Sequence, residues 1–180
     1  TIEEKLQAMQ SAGQEMYNNG IVAVGDICNT ADSLSTKIQS KIHWHNFMEV
    51  SGFVNAAAET RLAEIKKVRQ QFLSSAIYQP STISPHAPYS VSKELFKLLN
   101  KETVNQLITI HNQECIAENE LYKNKSGDLL QLYKNLGINI DGFMPTGKTS
   151  LQSWMPYFTN KQSIISVHNT FITQQDIDFL

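Results

Sequence analysis

Apolar positions along the chain switch repeatedly between helical and strand spacing. Ile2, Leu6, Met9, Gly13 and Met16 recur at helical intervals, and Asn18-Asn19-Gly20 supplies a stop. Ile21 to Ile27 follows as a short apolar run, the pattern of a strand buried on both faces. Ser33 to Ser40 reads as a brief helix and Ile42 to Val50 as a second strand, ending at Ser51-Gly52. Leu62, Ile65, Val68 and Phe72 mark the apolar face of a long helix. Thr82-Ile83-Ser84 is a strand leading into Pro85-His86-Ala87-Pro88-Tyr89, where two prolines forbid regular continuation. Ser90 or Ser92 caps the next helix, whose core face is Leu95, Phe96, Leu98 and Leu99. Leu107 to Ile110 is a strand delivering His111. Helical sequence resumes near Ala117, breaks at Ser126-Gly127 and runs on through Leu129, Leu132, Tyr133 and Leu136 to Gly137. A loop rich in Gly, Pro and Thr covers Asp141 to Ser150, Ser163 to Val167 is a strand delivering His168, and Gln174 to Leu180 starts a helix.

This alternation predicts an α/β fold with a parallel sheet. It amounts to about five βα units, against the eight of a complete barrel of roughly 250 residues. Residues 1–180 are expected to form one domain, either part of a barrel or an open doubly wound sheet, and pattern alone leaves both open. The chain opens on Thr1 inside a predicted helix and closes on Leu180 inside another, as an internal segment of a longer protein would.

Composition narrows the function classes. A net charge of −2 with scattered lysines gives no electrostatic footprint for nucleic acid, and Lys66-Lys67-Val68-Arg69 reads as the wet side of a helix. Cys28 and Cys115 are far apart and have no CxxC partner, which excludes a structural zinc site or disulfide framework and points to a reducing, cytoplasmic setting. No apolar run approaches the ~18–20 residues of a membrane span, so no membrane partner is expected.

Three predicted strands end in a histidine or place one just beyond: His86, His111 and His168. In parallel α/β folds the carboxyl ends of strands form the rim on which sites are built. Any one of these rings can be an ordinary buried histidine, but three at equivalent strand ends point to a site. Glu114 follows His111 by three residues, a spacing that puts a metal ligand and a general acid/base side by side. His43 and His45 share a strand face and can grip a metal ion in principle. The strand runs on through Val50, however, placing them at its amino end, away from the rim.

Gly142-Phe143-Met144-Pro145-Thr146-Gly147-Lys148-Thr149 matches the phosphate-cradling G-x-x-x-x-G-K-[ST] pattern. The strand before it would span only Ile138 to Asp141, and Pro156 interrupts the helix after it. A nucleotide-binding protein is therefore the alternative reading, and a non-catalytic barrel relative is another.

Ser84-Pro85-His86-Ala87-Pro88-Tyr89-Ser90-Val91-Ser92, Ile110-His111-Asn112-Gln113-Glu114 and Val167-His168-Asn169-Thr170, in that order, resemble the amidohydrolase superfamily. The branch they resemble is that of the chlorohydrolases and S-adenosylhomocysteine deaminases. Gly20 to Asp26 is similar to that family's second strand. The resemblance implies a partial TIM-type barrel covering strands two to six, with strand one and strands seven and eight absent from the chain. It implies a parent hydrolase that activates water on a divalent metal, zinc or alternatively iron, to cleave a C–N or C–Cl bond. A deaminase of a nucleoside or heterocyclic amine is the reading that follows. His111 would be a metal ligand, Glu114 would shuttle protons, His168 would orient the attacking hydroxide and the substrate, and His86 would contact the substrate. The family's strand-one His-x-His and strand-eight Asp fall outside the chain; His43 and His45 do not replace the first, nor Asp176 and Asp178 on the last helix the second. The segment alone is expected to bind metal weakly or not at all, to be inactive, and to self-associate through exposed barrel edges.

Overall fold

A computed structural model describes residues 1–180. Thirteen elements follow one another: α1 (Ile2–Asn18), β1 (Ala23–Cys28), α2 (Leu34–Gln39), β2 (His43–Val50), α3 (Ala58–Leu73), β3 (Ser81–Pro85), α4 (Lys93–Glu102), β4 (Leu107–Asn112), α5 (Ile116–Asn124), α6 (Leu129–Asn135), α7 (Ser150–Trp154), β5 (Ser163–His168) and α8 (Gln174–Phe179). β1, β2 and β3 form one sheet in that order, and β4 and β5 form another. Both registered pairs, β1 with β2 and β4 with β5, are parallel, as the alternation predicted. No helix is long and apolar enough to cross a membrane.

The chain packs as two compact units, residues 1–49 with 64–83 and residues 50–63 with 84–180. In the first, α1 opens on a reciprocal cap, the Thr1 hydroxyl accepting from the Glu4 amide while the Glu4 carboxylate accepts from the terminal amine. Ile42, Phe47, Met48, Ile65, Phe72 and Ile83 are its buried apolar side chains. Among them lies Lys37, only 3% exposed, ion-paired with Asp26 and donating to Asn46 Oδ1 at 2.7 Å. Its ammonium also sits 5.2 Å from the Trp44 ring and 5.5 Å from Phe72, a cation–π environment that compensates its lost hydration.

The apolar run at Ile21 to Ile27 is not buried on both faces. Val22 is 63% exposed and Ile27 41%. β1 is an edge of its sheet, hydrogen-bonded on one side to β2, so an apolar run that reads like a central strand is left half uncovered. By contrast every residue of β3 is buried. Gly25 lies opposite His45 in the β1–β2 register, and a Cβ there would meet Phe47 Cε2 at 2.9 Å. Gly25→Ala is expected to destabilise by about 1–3 kcal/mol through overpacking. Urea unfolding that shows no loss would mean that the Phe47 ring can swing aside freely.

The second unit carries β4, β5 and the helices α4 to α8. Ile108 and Ile110 of β4 are buried with Leu95 and Leu99 of α4 at 0–1% exposure. A further cluster of Ala117, Leu121, Tyr122, Leu129 and Tyr133 joins α5 to α6. The Ser126-Gly127 break predicted in this region is real. Lys125 ends α5 in the left-handed conformation (φ 54), and Gly127 (φ 88) then admits the chain past Glu120.

Candidate active site at the strand ends

β4 and β5 run parallel with Thr109 opposite Ile165, His111 opposite Val167 and Asn112 opposite His168. Alternation along β4 turns Ile108 and Ile110 into the core and leaves His111 on the other face, shared with Thr109. The end of β3 and the residue after it are held against β4: the His111 amide donates to the His86 carbonyl at 2.9 Å, and the Thr109 amide to Ser84 Oγ at 3.1 Å. These bonds bring His86 to His111, and the β4–β5 pairing brings His168 to the same end. The His86 and His111 ring centroids are 5.4 Å apart, those of His111 and His168 5.1 Å, and His168 Nε2 lies 3.8 Å from Glu114 Oε1. All four sequence-predicted site residues thus converge within one unit.

His86 and His168 are held by different devices. His86 Nδ1 is 2.7 Å from Ser90 Oγ, and the Ser90 hydroxyl donates to the Ala87 carbonyl at 3.0 Å. The contact with Ser90 occupies Nδ1 and leaves Nε2 as the ring nitrogen free of that partner. Pro88 and Tyr89, which follow, are anchored through their carbonyls, which accept from Tyr122 Oη at 2.9 Å and Tyr133 Oη at 2.5 Å. Burial raises both phenol pKa values, so both hydroxyls keep the proton they donate.

His168 is placed by strain. Both it and Asn169 have positive φ, 70° and 55°, a conformation costing of the order of 1–3 kcal/mol for a side chain such as His. Asn169 compensates by bonding in four directions. Its amide donates to the Asn112 carbonyl and its Nδ2 to the Ser166 carbonyl, while its Oδ1 accepts from Asn112 Nδ2 at 2.9 Å and Ser166 Oγ at 2.7 Å. Asn112 is held in turn by Trp154, whose Nε1 donates to its Oδ1 at 2.8 Å.

Beneath the turn from β4 to α5 lies a polar layer the sequence reading passed over. Gln113, Glu118 and Asp176 are all fully buried. Asp176 Oδ2 accepts from the Thr173 amide, the Thr173 hydroxyl and Gln113 Nε2, and its Oδ1 accepts from Thr149 and from Gln152 Nε2. Burial pushes the Asp176 carboxyl up, but the bonds from Thr149, Thr173 and Gln113 outweigh it and hold its pKa below the usual value. A depressed folded-state pKa gives stability that is present above the unfolded carboxylate value and lost as pH falls through the folded one. Asp176→Asn is therefore expected to flatten the acid limb of a stability-against-pH curve measured by urea unfolding, and an unchanged limb would contradict the assignment. The Thr173-x-x-Asp176 spacing is itself a capping-box signature, present in the sequence and realised in α8.

His43 and His45 stay outside this constellation. His45 Nε2 contacts Thr82 Oγ1 at 3.1 Å and its ring packs on Phe47 at 4.7 Å, and burial lowers its pKa. The Gly142 to Thr149 stretch lacks the strand and long helix of a phosphate loop. No strand precedes it, and α7 after it has five residues. The Thr149 hydroxyl, which would have to face a magnesium ion, is buried, bonded to Asp176 and capping α7. Gly142, Phe143, Met144 and Thr146 instead line a cavity of about 480 Å³, with Phe53 and Phe96 among its walls and none of the four site residues.

Imidazole nitrogens suit a divalent transition metal. His86 and His111 each offer a ring nitrogen, within 4.8 Å of one another.

No protein-family model matches the chain, and no curated protein matches it. Among solved structures it is similar to the aminofutalosine deaminase of Helicobacter pylori, with a TM-score of 0.70 and 19% identity over 96% of this chain and 43% of that one. The same deaminase in complex with methylthio-coformycin matches with a TM-score of 0.68 and 18% identity, over 93% of this chain and 41% of that one. At such identities the likeness is one of fold, and the chain spans less than half the length of these neighbours.

Proposed function

We propose that this chain carries the central part of a metal-dependent deaminase of the amidohydrolase type, acting on the exocyclic amine of a nucleoside or related heterocycle. The observation behind it is the convergence of His86, His111, His168 and Glu114 at neighbouring strand ends. The fold shared with a deaminase supports it. That neighbour acts on aminofutalosine, which favours an aminofutalosine-like nucleoside over S-adenosylhomocysteine as the substrate class.

A divalent ion held by His111, with zinc preferred over iron, would supply water of lowered pKa, a nucleophile available near neutral pH. Glu114, half exposed at the rim, takes the proton from the attacking water and delivers it to the departing amine. His168 stands 3.8 Å from that carboxylate, close enough to orient the same water and to polarise the ring position under attack. His86 turns Nε2 toward substrate, its other nitrogen being held by Ser90. The reaction replaces a C–N bond by a C–O bond and releases ammonia, so no oxidant is needed.

The test is metal content. Zinc or iron measured by elemental analysis on the full-length protein should fall from about one ion per chain to a small fraction in His111→Ala. Retention of the full complement in that variant would overturn the ligand role.

A further inference from the structure

We propose that Glu118 is a positioning residue for the proton-transfer group: its buried carboxylate sets the backbone turn that aims Glu114 at His168. The inference rests on the reading of Glu114 given above and adds a residue to it. Glu118 is the third residue of α5, where a Glu ordinarily bonds back to the amide of the capping residue. Here it reaches further back. Its Oε1 accepts from the Glu114 amide at 2.8 Å and its Oε2 from the Gln113 amide at 3.0 Å and from Ser150 Oγ at 3.2 Å.

The two amides belong to the turn that needs support. Gln113 is a left-handed residue (φ 48) that is not glycine, a conformation that persists when its surroundings over-determine it. Its side chain is locked as well, with Nε2 donating to Asn119 Oδ1 at 3.1 Å and to Asp176 Oδ2 at 3.2 Å. Its carbonyl accepts from the Phe171 amide at 3.2 Å. The strained turn is thus clamped from α5 and α8, and Glu118 is the clamp that touches the backbone of Glu114 itself. Neither Glu118 oxygen is bonded to the histidines, so its influence on chemistry passes through the placement of Glu114.

The experiment compares Glu118→Gln, Glu118→Ala and Ser150→Ala in the full-length protein, with aminofutalosine and adenosine as probes. Glu118→Gln keeps one acceptor oxygen of two and should lower kcat about 10–100-fold with little change in KM, and Glu118→Ala should lower it further. Ser150→Ala leaves both backbone bonds intact and should retain the parent kcat. Amide hydrogen exchange, read on the same proteins, should accelerate at Gln113 and Glu114 in the Glu118 variants while Ile108 and Ile110 stay protected. Unchanged protection at Gln113 and Glu114 in Glu118→Gln would overturn the proposal, as would an equal loss of kcat in Ser150→Ala. If the parent protein releases no ammonia from either probe, the deaminase reading fails, and the exchange data still decide whether Glu118 clamps the turn.

Discussion

Glu114→Gln should reduce ammonia release by 10²–10⁴-fold, the range a positioned general acid/base contributes, while leaving the protein as stable as its parent. The separation of these two effects is what makes the variant informative. Glu114 is 51% exposed and supports no packing, so its amide form should fold within about 0.5 kcal/mol of the parent. The amide keeps the size of the carboxylate but can no longer take a proton from water and return it to the amine. KM should change little, because the loss falls on a step rather than on substrate contacts. Steady-state kinetics alongside urea unfolding would check both halves. A variant retaining a tenth or more of parental turnover would remove Glu114 from the proton path.

Trp154→Ala should be the most damaging single change to stability within the second unit, costing about 3–5 kcal/mol. The side chain is fully buried, stands edge-on to Phe158 at 6.1 Å, and donates to Asn112 Oδ1. Its removal therefore opens a cavity and leaves a buried acceptor with one partner fewer. Trp154→Phe separates the two contributions: it fills most of the volume but drops the N–H, so about 1–3 kcal/mol should be lost. Because Asn112 also holds Asn169, and Asn169 follows the strained His168, turnover should fall in Trp154→Phe beyond what the unfolded fraction explains. Urea unfolding that ranks Phe and Ala equal would show that the hydrogen bond carries the whole effect and the ring volume none of it.

The strands, and the placing of the four candidate residues at or near their ends, were legible in the sequence for a physical reason. Short apolar runs bounded by Gly, Pro and Asn mark strands, and a polar, titratable residue at the end of such a run stands out against its neighbours. His111 after Leu107 to Ile110 and His168 after Ser163 to Val167 are of this kind. The supporting layer was not legible. Glu118 at the third position of a helix and Asp176 three residues after Thr173 look like ordinary caps, and nothing local says that both are fully buried. Asn112 and Gln113 read as spacers between a histidine and a glutamate, yet both are fully buried, tied respectively to β5's end and to α8. The opposite error occurred at β1 and the residue before it, where Ile27 and Val22 promised burial. An apolar run records a preference for cover, and an edge strand receives cover only from what lies beside it. The short helix expected after Thr149 and cut off at Pro156 is α7, five residues long.

Ammonia release from aminofutalosine by the full-length protein, loaded first with zinc and then with iron, tests the central claim most directly. Multiple turnovers with one metal, lost on chelation and regained on adding the ion back, are the predicted result. Protein that binds a stoichiometric metal ion yet releases no ammonia from aminofutalosine or adenosine would contradict the deaminase assignment.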